Sequence, residues 1–420
     1  MTHPPEIDVA VGMEVYASMS EPCEARLRLS DSDFIVTEVL RAEVLQERRE
    51  GYLPVYRVEK RSIDTMHMAR EVSRELRSRV SYCGLKDKRA TAIQYLTPTS
   101  SRSATPALIE GRGYRAELIG YSRRPLGRGS IAGNSFRITM RRCCSRMGEC
   151  LGEVSALAAQ RRLPNFYGHQ RFGGRGASTH LVGRAIVRRD FEGAVKTIVS
   201  EPRATDDELT SRARELAARG EYGRAAALLP ASQDTERLVL QRLAKRGDDY
   251  VGALRAVPIQ LRRMFTTAYQ SYIFNRTLSA CMRTGLDISN VHEGDNWGEV
   301  DEFMSVVKVH GVRERATEGA VPLIQMAGYA YRNYGSRFDA CLEAVLREEC
   351  VSPADFYVEE MQELSVEGGF RRPFMSVSGM RYSGDGDTWT VSFNLARGEY
   401  ATSLLREAVK PRDPASCGFL

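Results

Sequence analysis

The sequence predicts an α+β protein with room for two domains, on three observations. Its 420 residues exceed what one ordinary hydrophobic core serves. Short apolar alternations bounded by turn residues occupy the N-terminal third and the C-terminal end. Between them lies an alanine- and arginine-rich stretch of helical period, from about 176 to 285.

The elements follow in order. Val9 to Tyr16 has the alternation of a short strand. Arg26 to Leu29 and Phe34 to Val39 alternate around a Ser30-Asp31-Ser32-Asp33 turn, and Val55 to Lys60 is a further strand. Ser62 or Asp64 is placed to cap a helix from Thr65 to about Arg79. An apolar run, Val80 to Leu85, then leads into Lys86-Asp87-Lys88. Tyr114 to Tyr121 and Ser135 to Met140 are strands joined by a basic glycine loop, Arg123 to Asn134. Gly148 to Leu163 is a helix. The block Pro164 to Gly174, rich in aromatic, glycine and basic residues, has neither helical nor strand period and is expected to be a loop with a function. Residues 201–255 are polar enough for a peripheral helical pair, and Thr266 to Met282 is a buried helix. Short strands are expected over 290–335 and helices over Phe338 to Cys350 and Pro353 to Leu364. The end reads strand, strand, helix: Phe374 to Val377, Thr388 to Leu395, Tyr400 to Val409.

Composition excludes several classes. Hydrophobic content of 42% and charged content of 27% are those of a globular protein, and no apolar run approaches the roughly 20 residues of a membrane span. The N-terminus lacks a charged segment followed by an apolar one, so the expected location is the cytoplasm. Nine scattered cysteines include no C-x-x-C pair and are expected to be reduced, and six separated histidines make a histidine metal centre unexpected. There is no dinucleotide fingerprint, no Walker loop and no nucleophile elbow. Net charge is only +6, but arginines crowd residues 101–190, as on a phosphate-binding face.

What remains is Asp87, flanked by cations that favour its ionised form. Aromatic and basic loops accompany it, and these suit unstacked bases and their phosphates.

Six segments in order carry a family resemblance. They are Asp33-Phe34-Ile35-Val36-Thr37-Glu38, Gly84 to Gln94, Gly133-Asn134-Ser135-Phe136, Asn165 to Gly173, Gln270 to Asn275, and Leu395 to Thr402. Together they resemble the TruD-type tRNA pseudouridine synthases, in an archaeal-like form, although Thr91 and Ala92 depart in detail from the family pattern. The resemblance implies a catalytic domain with a mixed, mainly antiparallel sheet flanked by helices. That domain would be discontinuous, residues 1–161 and 375–420, with a large inserted α+β domain over 162–374.

The resemblance also implies isomerisation of uridine to pseudouridine in tRNA, at position 13, by a monomer that uses no cofactor and no metal. Asp87 would be the catalytic residue and Arg28 its basic partner. Phe34 and Asn134 would hold the target nucleotide, and Tyr400 would stack on its uracil. Gln170, Arg171 and Phe172 would either support the site residues from behind or face the RNA, in an order the sequence leaves open, as it leaves open whether Asp87 attacks the sugar or the uracil. The competing readings are an RNA methyltransferase, for which no cofactor loop is found, a non-catalytic RNA-binding protein using the same basic cleft, and a globular protein with incidental basic patches.

Overall fold

The computed structural model describes residues 2–87, 90–100, 102, 104–203, 206–230 and 233–420. Its largest feature is a nine-stranded sheet built from both ends of the chain. The N-terminal part supplies β1 (Phe34–Leu40), β2 (Leu53–Lys60), β3 (Val80–Tyr82), β4 (Thr91–Pro98), β5 (Leu108–Gly111), β6 (Tyr114–Ser122) and β7 (Ile131–Arg141). Strands β8 (Trp297–Val300), β9 (Val306–His310), β10 (Val321–Pro322), β11 (Ile324–Met326) and β12 (Gly369–Arg371) belong to two smaller sheets. The C-terminal part returns β13 (Val377–Asp385) and β14 (Thr388–Ala396) to the large sheet, whose order is β13-β14-β7-β1-β4-β2-β6-β5, with β3 beside β4. Among the described residues β1 and β4 run parallel and the other pairs in this sheet antiparallel. The expected mixed, mainly antiparallel sheet is therefore present.

The helices are α1 (Glu6–Val9), α2 (Thr65–Glu75), α3 (Met147–Ala159), α4 (Thr179–Val187), α5 (Phe191–Val199), α6 (Glu208–Ala218), α7 (Tyr222–Leu228), α8 (Asp234–Lys245), α9 (Tyr250–Ala256), α10 (Ile259–Arg283), α11 (Asp339–Glu348) and α12 (Ala401–Val409). Asp64 caps α2 by accepting from His67 N at 2.8 Å, and the helix lays Met68 and Val72 on Tyr56 and Val58 of β2. Helices α3 and α12 cover Phe34, Phe136, Ile138, Val391 and Phe393. Every second residue of β1, β7 and β14 feeds that core, the period-2 pattern of a half-buried strand. Among the described residues no helix is long and apolar enough to cross a membrane.

The central stretch, from α4 to α10, is helical as expected. The chain leaves the large sheet near Leu163 and returns beside the same point: Asn165 N donates to Pro373 O at 2.8 Å and Met375 N to Leu163 O at 2.8 Å. The β8–β9 hairpin leans back on the sheet, where Asp301 pairs with Arg41 at 2.8 Å.

Several expectations are corrected. Val9 to Tyr16 is not a strand. Helix α1 ends at Val9, and Val11 and Met13 enter a core with Phe274 and Leu278 of α10. That segment's carbonyls are taken by side chains instead of a neighbouring strand: Asn275 at Val11 O (2.9 Å), Ser279 at Gly12 O (2.8 Å) and Arg406 at Met13 O (3.0 Å). Its apolar alternation comes from burial without pairing.

Arg26 to Leu29 contributes one isolated bridge, Arg26 to Arg141, rather than a strand. The expected helix at Pro353 to Leu364 is two 3-10 turns, Pro353–Phe356 and Glu359–Leu364, because Phe356 enters one core while Val358, Met361 and Leu364 enter another. The strand expected at Phe374 to Val377 starts only at Val377, with Phe374 held in the core near α10. The polar stretch 201–255 is not a peripheral pair; α6, α7, α8 and α9 enclose their own core with α5.

Cys23 and Cys144 are also not reduced. The Arg26–Arg141 bridge and the bond from Cys144 N to Glu24 O bring their Cα atoms to 5.6 Å, and they form a disulfide.

Candidate active site

Strand register places the polar groups of the site before any side chain is considered. Cross-strand partners share a face. Val58 of β2 pairs with Gln94 of β4, and Glu38 of β1 pairs with Asn134 of β7. Since Val36 pairs with Ala92, Glu38 and Gln94 lie in step on the face that buries Phe34 and Phe136. Lys60, opposite Ala92, shares it. Four polar residues thus interrupt an otherwise apolar surface, all beneath one loop.

That loop is Cys83 to Asp87, and the polar face holds it. Gln94 Nε2 donates to Gly84 O at 2.9 Å, and Lys86 N donates to Thr65 Oγ1 at 3.1 Å. Lys60 is fully buried and its ammonium donates to the carbonyls of Ile63 (2.9 Å), Lys86 (3.2 Å) and Asp87 (2.8 Å). Burial pulls the Lys60 ammonium down from its ordinary value, and the nearby Asp87 charge opposes that fall. The Lys86 side chain turns back to the sheet, with Nζ 2.9 Å from Glu38 and 3.0 Å from Asn134 Oδ1. Burial raises the Glu38 carboxyl, and Lys86 works against that rise.

The Asp87 carboxylate is left pointing outward, 51% exposed, with Arg28 at 3.1 Å. Lys88 and Arg89, the other flanking cations, lie outside the described residues. Arg28 has φ +57°, a left-handed conformation that costs a non-glycine residue about 1 kcal/mol. Its surroundings hold it there. The guanidinium lies 4.4 Å over the Phe34 ring and reaches the carbonyls of Gly418 and Leu420. The C-terminal tail is therefore part of the seat of the arginine.

The facing wall is the start of α12. Tyr400 precedes the helix and meets Tyr167 edge-on at 6.1 Å. Arg371 of β12 lies 3.9 Å over the other ring, Tyr167, and is fixed by Asn165 Oδ1 at 2.6 Å and Gly398 O at 3.1 Å. Burial raises the Tyr400 hydroxyl, so it stays a neutral phenol. Gly168 lets the two walls approach closely: a Cβ there would sit 3.0 Å from the Tyr400 ring and 3.1 Å from Thr402 Oγ1, so any larger residue would push those side chains back. Beneath Tyr400, Glu399 is buried with Arg372 at 2.6 Å, and burial pushes its carboxyl up to about 7.

Between these walls is an open pocket of about 220 Å³ whose lining includes Arg28, Phe34, Asp87, Asn134, Gln170 and Tyr400. All five candidate site residues therefore meet in one cavity, although they are spread over more than 370 positions of the chain. Of the three residues left unordered, Gln170 reaches the cavity and bridges Phe419 O (3.2 Å) and Thr402 (3.3 Å). Arg171 binds Ser271 at 3.1 Å, and Phe172 is buried against His180. Asn165, Gln270 and Asn275 are buried scaffolding that bonds to backbone groups.

Sequence reasoning missed Lys60 and gave Glu38 and Lys86 no role. The available signal was phase: Tyr56, Val58 and Lys60 share the buried side of β2, so a lysine there needs partners. Among the described residues there is no group of three or more His, Cys, Asp or Glu side chains able to hold a metal ion.

The family model for tRNA pseudouridine synthase D (TruD) matches residues 10–408. The chain belongs to the TruD family. A relative from Methanopyrus kandleri, described as a probable tRNA pseudouridine synthase D, is 36% identical over 84% of each chain. Another so described, from Pyrobaculum neutrophilum, is 33% identical over the full length of both. A crystal structure from Methanosarcina mazei, described as a candidate TruD, superposes over the whole of both chains with a TM-score of 0.80 at 28% identity. The match to TruD thus covers both ends of the large sheet and the central stretch between them.

Proposed function

We propose that this TruD chain isomerises uridine to pseudouridine in tRNA, with Asp87 as the catalytic residue. The observation that carries the reading is one solvent-facing carboxylate, paired with Arg28, in a pocket walled by Phe34, Asn134 and Tyr400. Breaking the N1–C1′ bond, turning the uracil and joining C5 to C1′ leaves the oxidation level unchanged. The C5 hydrogen departs as a proton and the freed N1 takes one up, so the product is an isomer of the substrate. A carboxylate can serve as nucleophile or as base in that sequence, and Arg28 at 3.1 Å orients it toward the pocket.

Tyr400 offers a ring to a base flipped out of its stack, Phe34 lines the same pocket under Arg28, and Asn134 offers an amide to the base edge. The finer reading is a monomer in the cytoplasm acting on position 13, without cofactor. In it, residues 162–374 form an inserted domain that closes RNA against the sheet. The adjacent exit and return of the chain at Leu163 and Met375 support that division.

The test is tritium release from tRNA transcripts labelled at uridine C5, with wild type beside Asp87→Asn. Release by wild type alone, with equal RNA binding by both, is the expected result. Tight binding without release from any tRNA would leave a non-catalytic RNA-binding protein.

A further inference from the structure

We propose that Glu38 and Lys86 lock the Asn134 amide with its N–H₂ toward the pocket, and that this amide selects uracil over cytosine by donating to O4. The inference rests on the reading in the preceding subsection and extends it to the choice of base.

The geometry begins with the register. Glu38 and Asn134 are directly opposite on adjacent strands, and the Lys86 ammonium sits between them, 2.9 Å from one and 3.0 Å from the other. An ammonium can only donate, so the atom of Asn134 that faces Lys86 has to be the carbonyl oxygen. The amide nitrogen is then turned away from Lys86, and it makes no hydrogen bond among the described residues.

Lys86 cannot easily swing aside. The Glu38 side chain is fully buried, and its second oxygen is held by Tyr95 N at 3.1 Å. Breaking that ion pair would leave a charge uncompensated inside the sheet. The Asn134 backbone is pinned as well. Neighbouring Gly133 lets β14 come so close that a Cβ there would collide with the Leu395 carbonyl.

The remaining polar lining supports the choice of base. Arg28 and Lys86 are donors only, while the Gln170 carbonyl is taken by Thr402 and its N–H₂ is turned to Phe419 O. Apart from Asp87, which the chemistry requires, and Glu399, whose oxygens are taken by Arg372 and the backbone N–H groups of Ser376 and Ala396, this wall asks for acceptors. Uracil presents two carbonyl oxygens. Cytosine replaces O4 with an amino group, which would bring donor against donor and leave a buried group unpaired. Glu38 and Lys86 touch no base in this scheme; they act through Asn134 as positioning residues.

The experiment uses a tRNA transcript that wild type modifies and, as competitor, the same transcript with cytidine at the target position. Wild type is expected to prefer the uridine transcript by roughly tenfold to a hundredfold, comparing KM with the inhibition constant. In Lys86→Met the amide is free to turn over and accept from the cytosine amino group, so the ratio falls below about threefold. Asn134→Ala loses the ratio without touching the buried pair. Glu38→Ala lowers it, and Glu38→Gln, which keeps an acceptor toward Lys86, restores part of it. Lys86→Arg, also donor-only, keeps it. Thermal unfolding of each variant separates loss of fold from loss of selection, and Asn134→Ala decides the matter if Lys86→Met does not fold.

An equal loss for both transcripts, leaving the ratio unchanged in Lys86→Met and Asn134→Ala, would overturn the inference while turnover by wild type upholds the reaction. No tritium release by wild type would instead sink the reaction itself, and the inference with it.

Discussion

Two aspartates, each held by an arginine, are used in opposite ways. Asp8 is 1% exposed, with Arg406 Nε at 2.5 Å on one oxygen and His169 at 2.7 Å on the other. Arg406 is itself saturated by Met13 O, Val15 O and Glu407, and Glu407 by the backbone N–H groups of Ala17 and Ser18. Burial alone would raise the Asp8 carboxyl, but Arg406 and His169 hold it below its ordinary value. Among the described residues Asp87 pairs with one arginine, at 3.1 Å, and half its side-chain surface faces solvent. A carboxylate with both oxygens engaged joins the two ends of the chain; one left half-exposed in a cleft is available for chemistry.

Substitutions should separate the two roles. Asp87→Asn should lower turnover by at least about a thousandfold in the tritium assay while shifting stability by less than about 0.5 kcal/mol in urea unfolding. A large loss of stability there would dissolve the contrast. Asp8→Ala should do the reverse: about 3–5 kcal/mol less stable, because it strands a buried guanidinium, with turnover per folded molecule preserved.

The histidines extend the comparison. His169 has Asp8 against its ring, whereas His180 is buried between Phe172 and Tyr272, and burial, opposed only in part by the Ala10 carbonyl and the Glu349 charge, drives it down from 6.5 to about 4. The unfolded chain then takes up the extra proton first. Stability should be complete above about pH 6.5 and fall by about 3 kcal/mol as the pH drops toward 4. His180→Phe should flatten that slope, measured as unfolding free energy against pH. The smallest effect expected is that of Tyr400→Phe, which keeps the ring and should stay within about threefold of wild-type turnover, whereas Tyr400→Ala should fall by more than about tenfold.

What could be read in advance followed periodicity and local chemistry. Phe34 to Val39, Val55 to Lys60 and the Asp64 cap behave as their patterns require, since a strand with one wet face and a capped helix both write themselves locally. Asp87, Arg28, Phe34, Asn134 and Tyr400 were assembled by resemblance; no local rule joins residue 28 to residue 400. The misreadings at Val9 to Tyr16 and Pro353 to Leu364 have one cause. Apolar spacing reports burial: at Val9 to Tyr16 the partner is the side of a helix in place of a sheet, and at Pro353 to Leu364 it is two separate cores in place of one. The Cys23–Cys144 link closes over 121 residues and left no trace in cysteine spacing.

The order in which the ribosome delivers the large sheet has its own consequence. Strand β7, which carries Asn134, is finished at Arg141, but the strand that covers its outer edge begins only at Thr388. At ordinary translation speeds that gap lasts about 12–50 s. For that time the nascent chain exposes an unpaired strand edge of eleven residues, the kind of surface that recruits foreign strands. The helical stretch made in the interval buries its own core meanwhile, so synthesis reaches the last strands with the middle of the molecule already folded and its first third still waiting for an edge.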